Sequence, residues 1–182
     1  MEHFYNFHVS LIHQNNRPHI LILLNFYLQK GMVQVSCLSA YELMKNQEKY
    51  DHLSKLVEKL RKSEDPKRKY EYILWLGKKL KQPESKILVE ENKVKGCVSE
   101  VFVKANIKGG KLFWEGYSDA LITKGLLAFL ITGLNELTPN EVVEIDKKFI
   151  EDTGLKASLT PSRSNGFLNI LLKMQSQANE FL

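Results

Sequence analysis

The segment Ala120–Leu137 is apolar on nearly all sides, with Thr123, Lys124, Thr132 and Asn135 as the exceptions. A surface helix carries its apolar residues on one stripe, whereas a helix that is apolar all round is buried. The rest of the fold must therefore wrap this segment. Lys124 and two interior glycines favour the centre of a globular domain over a membrane span. A chain of 182 residues is long enough for one domain with a real core.

Other stripes supply the wrapping. Leu53, Leu56, Val57 and Leu60 mark one face of a helix that ends near Ser63. Asp65-Pro66 reads as N-cap and first helical residue of the next. Its stripe is Tyr70, Ile73, Leu74, Gly77 and Leu80, and Lys81–Asn92 reads as a loop. Val101, Val103, Ala105 and Ile107 then alternate with Phe102, Lys104 and Asn106, Gly109-Gly110 signals a hairpin, and Leu112, Trp114, Gly116 and Ser118 alternate on the return. A third short strand is expected within Lys93–Cys97 if the turn at Cys97 does not consume it.

Asp119 is expected to cap the buried helix or, on a sharper reading, to position the loop that carries Cys97. Thr138-Pro139-Asn140-Glu141 has capping-box form and predicts a helix to about Asp152. Pro161–Gly166 leads into a last helix whose apolar face is Phe167, Leu168, Leu171, Leu172, Met174 and Ala178. Trp75, Phe113 and Trp114 are expected in the core. The fold class is α+β: a small antiparallel sheet of about three strands packed on several helices.

The first 44 residues differ from the rest. They hold His3, His8, His13, His19 and Cys37, and residues 1–43 carry only two acids and two bases. Ile20–Leu28 is too short to cross a bilayer, and no clear cleavage site follows it. Ser39-Ala-Tyr-Glu42 has capping-box form. We expect residues 1–44 to be an extension, disordered or untranslated with starts at Met32 or Met44, and residues 45–182 to be a single domain. A targeting segment is the alternative.

The net charge is +5, which invites a nucleic-acid partner. Only four of the 26 basic residues are Arg: Arg17, Arg61, Arg68 and Arg163. The densest cluster, residues 55–69, mixes seven bases with three acids on helical stretches, which suits a solvated face better than a phosphate track. Two cysteines make no disulfide framework and point to a reducing, cytoplasmic compartment.

Cys97 sits in Lys93–Val103, KVKGCVSEVFV, and no histidine follows His52. A Cys–His hydrolase lacks its base, and a zinc or iron–sulfur site held by this chain lacks its ligands. No phosphate-cradling glycine motif is present. One thiol remains. Gly96 suits a loop that offers this sulfur to another protein, and equally a plain turn into a strand. Glu100 close to the thiol would raise its pKa. Ser99 and Gly96 shape the loop. Lys124 on an apolar helix either snorkels, pairs with Asp119 or faces a partner. Arg163 either bonds an internal carboxylate or recognises a partner through its planar fork.

Gly96-Cys97-Val98-Ser99-Glu100-Val101-Phe102 resembles the G-C-x-S-x-V-W signature of the SufE family, with Phe102 in place of the usual Trp. Tyr70–Leu80 resembles the family's helix before the Cys loop. Gly116-Tyr117-Ser118-Asp119-Ala120 with Lys124-Gly125-Leu126, and Leu159–Gly166, LTPSRSNG, resemble two further family runs, all in register over roughly residues 45–182.

The resemblance implies a SufE/IscU-like fold and a sulfur acceptor that activates a PLP-dependent cysteine desulfurase of the SufS kind. Cys97 would take the persulfide sulfur and pass it to iron–sulfur assembly scaffold proteins. Gly96, Ser99, Asp119, Lys124 and Arg163 would support it. It implies no cofactor of the chain's own, the PLP being on the partner. Neither nucleic acid nor membrane is expected as a partner, and a homodimer stays open. The compartment is the cytoplasm, or an organellar stroma if residues 1–44 are a targeting segment. The competing readings are an iron–sulfur scaffold, a Lys-rich nucleic-acid module and a stand-alone thiol enzyme.

Overall fold

The computed structural model describes residues 50–182. The expectations for residues 1–44, including Cys37, four of the histidines and the Ser39 capping box, lie outside the described residues. Six α-helices and one hairpin follow in order: α1 Asp51–Arg61, α2 Pro66–Lys79, β1 Val101–Lys108, β2 Lys111–Ser118, α3 Leu121–Leu134, α4 Pro139–Val143, α5 Lys148–Asp152 and α6 Pro161–Asn179. Short 3₁₀ turns lie at Ser85–Ile87, Glu90–Asn92 and Leu155–Ala157.

The apolar segment is central, as its composition requires. Eleven of the 14 residues of α3 are buried, and Leu121, Lys124 and Thr132 form its narrow wetter side. It packs on α1, α2, β2 and α6. Its approach to α2 is backbone against backbone. A Cβ at Gly77 would lie 2.8 Å from the Leu121 carbonyl oxygen, and one at Gly125 would run into the carbonyl of Ile73. Phe129 and Phe167 meet edge to face, with centroids 5.8 Å apart, and join α3 to α6.

The hairpin pairs Val101 with Ser118 through Lys108 with Lys111. Gly109 and Gly110 both have positive φ (59° and 74°), the backbone a two-residue hairpin turn requires. Val101, Val103 and Ala105 are buried with Leu112, Trp114, Gly116 and Ser118, but Ile107 at the turn is exposed.

The sheet has two strands rather than about three. Lys93 makes one antiparallel bridge to Phe102, Val94 N–H donates to Val101 O at 2.8 Å, and the chain then turns away at Lys95-Gly96. Side chains and a loop close the edges a third strand would have covered. Gln177 of α6 accepts from Ala105 N–H and donates to Val103 O, both at 3.0 Å. Across the sheet, Leu112 N–H donates to Leu137 O at 2.7 Å and Asn135 Oδ1 accepts from Trp114 N–H at 2.9 Å. Neither edge is left as a free row of donors and acceptors.

Further expectations are corrected. The helix expected from Thr138 to about Asp152 is two short ones. The Thr138–Glu141 capping box forms, but Gln175 Nε2 donates to the carbonyls of Val142, Val143 and Ile145, which ends α4. Asp146 Oδ1 then accepts from Lys148 N–H and restarts the chain as α5. The last helix begins at Pro161, so the Ser162–Gly166 run is helical rather than a lead-in. Ile170 joins its buried face, while Leu172 is exposed.

Trp75 lies on the surface, 48% exposed, whereas Trp114 is buried. Trp75 stacks on Tyr72 at 5.6 Å, with Lys79 Nζ 4.9 Å from its ring, while Lys59 Nζ lies 4.3 Å from the Tyr72 ring. Other bases nearby pair with acids on the same helix or its cap: Lys55 with Asp51, Lys62 with Glu58 and Arg68 with Asp65. This is the solvated, charge-mixed face expected of residues 55–69.

Candidate functional site around Cys97

The turn that carries Cys97 is fixed at both ends. Val94 is held by its N–H bond to Val101 O, beside the Lys93–Phe102 bridge, and beyond Cys97 two bonds follow in succession. Ser99 Oγ and Thr123 Oγ1 lie 3.2 Å apart, and Glu100 N–H donates to Asp119 Oδ1 at 3.0 Å. Asp119 is therefore not the cap of α3. That N-cap is Ala120, which provides no side-chain bond. The carboxylate instead anchors the backbone three residues after the thiol. Asp119 N–H also donates to Glu100 O, at 3.3 Å.

Between the anchors, Gly96 takes φ 75°, a left-handed conformation that residues with a side chain resist. The turn folds Cys97 inward and leaves Val98 outward, 89% exposed. Cys97 is half-buried against α6, and its thiol donates weakly to Gly166 O at 3.7 Å. A Cβ at Gly166 would make only an ordinary contact with Sγ, at 3.5 Å. Asn169, one turn further along α6, donates from Nδ2 to Gly96 O at 3.1 Å.

A cavity of about 20 Å³ lies beside the thiol, lined by Cys97, Val98, Ser99, Thr123, Ser162, Arg163 and Gly166. That is room for about one small group. Burial pushes the Cys97 thiol above its ordinary pKa, because the thiolate loses hydration there. Glu100 lies outside this environment: it is exposed, and Lys93 Nζ sits 3.4 Å from its carboxylate. The expected effect of Glu100 on the thiol is replaced by desolvation.

The structure thus brings Gly96, Ser99 and Arg163 to Cys97 and places Asp119 one step back, on the backbone. Arg163 is exposed at the cavity rim, and among the described residues it forms no carboxylate ion pair. Lys124 is half-buried on α3, and pairing with Asp119, one of its three expected roles, is not among the ion pairs of the described residues. Among those residues, no three His, Cys, Asp or Glu converge to hold a metal ion. No helix among them is long and apolar enough to cross a membrane.

Thr123, Gly166 and Asn169 are site residues that the pattern alone did not single out. Thr123 left a signal as a polar residue in the first turn of an otherwise apolar helix. Asn169 left none, because its role depends on which face of α6 meets the turn.

Residues 54–178 match the family described as SufE, an Fe-S metabolism associated domain. The chain is 51% identical over 130 residues to an uncharacterized SufE-like protein of Synechocystis, covering 71% of this chain and 82% of that one. It is 40% identical over 127 residues to SufE-like protein 1, chloroplastic/mitochondrial, of Arabidopsis thaliana, covering 69% of this chain and 34% of that protein. It is 38% identical over 116 residues to the cysteine desulfuration protein SufE of Plasmodium vivax, covering 62% and 46%. The chain thus spans under half the length of the last two. The solution structure of a hypothetical protein from Thermus thermophilus superposes with a TM-score of 0.62 at 26% identity, over 71% of this chain and 94% of that one.

Proposed function

This chain belongs to the SufE family of Fe-S metabolism associated domains, and from that premise we propose that it accepts sulfur on Cys97 from a PLP-dependent cysteine desulfurase. It then passes that sulfur to iron–sulfur cluster assembly. The observation that carries the reading is a half-buried thiol on a glycine-led turn, the one cysteine among the described residues, with a one-group cavity beside it.

The step balances without an outside oxidant. The Cys97 thiolate attacks the outer sulfur of the desulfurase's cysteine persulfide, a Cys97 S–S bond forms, the partner's S–S bond breaks, and the partner's thiolate leaves. One sulfur atom moves at its own oxidation level, as in thiol–disulfide exchange. The chain needs no histidine for this, because the thiolate is the nucleophile and the partner supplies the PLP chemistry.

The turn serves two needs. Folded in, it keeps the thiol protonated and shields the product sulfur in the cavity. Swung out, it regains hydration, and the thiolate fraction rises where it is needed. Arg163 and the first turn of α6 border the same space, and a helix N-terminus favours negative charge. Both suit an anionic persulfide or a carboxylate of the partner. Exposed Val98 gives the docked tip an apolar contact.

The test is intact-protein mass spectrometry after mixing with a desulfurase and cysteine, beside Cys97→Ser. A reductant-reversible gain of one sulfur atom on the wild type alone is expected. No gain from a desulfurase active on another acceptor overturns the pairing with that enzyme, and failure across a series of desulfurases overturns the reading.

A further inference from the structure

We propose that Asn169 is a positioning residue that latches the Cys97 turn against α6 and sets how often the thiol is presented. The purpose of the latch rests on the sulfur-acceptor reading, but its geometry does not.

The turn is anchored at Val94 on one side and at Ser99 and Glu100 on the other. Among the described residues, two hydrogen bonds tie residues 95–98 to the rest of the fold: Asn169 Nδ2 to Gly96 O at 3.1 Å and Cys97 Sγ to Gly166 O at 3.7 Å. The second is a weak thiol donor at long range, so the amide bond dominates. Lys95, Gly96 and Val98 are exposed, and burial does little else to hold them.

The amide is also fitted to its partner. A Cβ at Gly96 would lie 2.7 Å from Asn169 Nδ2, so the glycine both adopts the positive φ and leaves room for the donor. Asn169 reaches the turn from α6, the helix that supplies Gly166 and Arg163 to the same site. Pulling the turn outward breaks one neutral hydrogen bond together with the weak thiol contact and the partial burial of Cys97, which describes a low-energy local opening. A partner that engages Val98 or the Gly96 carbonyl would release the latch as it docks.

The test measures alkylation of Cys97 by iodoacetamide, a neutral reagent, against pH on the full chain carrying Cys37→Ser. Asn169→Ala removes the donor and favours the helix. Asn169→Leu keeps the branched shape with the same number of heavy atoms and also lacks the donor. Both are expected to react about three- to tenfold faster than the parent, the opening gained on losing one neutral hydrogen bond. Their pH midpoints should move down toward the ordinary thiol range as the sulfur becomes hydrated. Lys173→Ala, one turn further on, should change neither quantity.

Parent-like rate and midpoint in both folded variants overturn the latch, and acceleration in Ala but not in Leu overturns it by assigning the effect to packing. A general loosening of the fold would lower the thermal midpoint of either variant, which circular dichroism reads separately. No desulfurase enters this experiment. An unchanged alkylation profile therefore counts against Asn169 alone, while a failure to gain sulfur with the alkylation effect present counts against the carrier reading alone.

Discussion

Two pairs of glycines bring elements of this protein into close approach, and they differ in what they meet. Gly77 and Gly125 set the backbone of α2 against that of α3, where a Cβ on either meets carbonyl or amide atoms that cannot move aside. Gly96 and Gly166 set the Cys97 turn against α6, where a Cβ meets the end of the Asn169 side chain or the sulfur of Cys97. The first contact is rigid because backbone is trapped on both sides. The second can open because side chains close it and water lies beyond. The proposed presentation of the Cys97 thiol to a partner uses the second kind of contact.

The strongest way to break this comparison is Gly125→Ala. The added methyl has no space, and α2 must shift away from α3. We expect a loss of about 3 kcal/mol or more, or failure to fold. That is a fall on the order of 10 °C in the thermal midpoint. A parent-like midpoint would show that the helix contact yields as readily as the turn.

Gly166→Ala sharpens the comparison from the other side. Its Cβ would sit 3.5 Å from Sγ, an ordinary contact, on a long helix that prefers Ala. We expect stabilisation of about 0.5–1 kcal/mol by urea titration, with slower alkylation of Cys97. A marked destabilisation would mean that the turn is as tightly fitted as the α2–α3 contact.

The smallest effect is the pH dependence of the thiol. The folded-state pKa of Cys97 is raised by burial. The folded chain therefore keeps a proton that the unfolded chain releases between the ordinary thiol pKa and the raised one. Stability is unaffected below the ordinary value and falls as pH rises through the raised one. Cys97→Ser should lack that fall, so the urea midpoints of the two proteins should converge or cross as pH rises from neutral into the thiol range. Parallel midpoints across that range would mean that the thiol is already hydrated in the folded state.

Much of this was legible in the chain because period and composition are local. The all-round apolar segment had to be the centre, and α3 is. The Asp65-Pro66 and Thr138–Glu141 caps and the Gly109-Gly110 hairpin act within a few residues, and each forms as its residues require. The site motifs placed Cys97, Gly96, Ser99, Asp119 and Arg163 in register with a known family. Readings that depended on a distant partner went differently. The third strand stopped at one bridge because Gln177 and the turn at Gly96 took its place. The helix after Thr138 broke because Gln175 reached three carbonyls from α6. Trp75 went outward because the buried side of α2 was already filled by Ile73, Leu76 and Gly77.

By itself, then, the sequence determined that one buried helix would organise an α+β domain and that one thiol would stand on a glycine-led turn. Both follow from side-chain chemistry at fixed local spacing. The tertiary structure decided what closes that turn. Asn169, Gly166 and Thr123 reach Cys97 only when α6 and α3 pack on either side of it, and hydrogen bonds between residues so far apart in the chain leave no periodic trace along it.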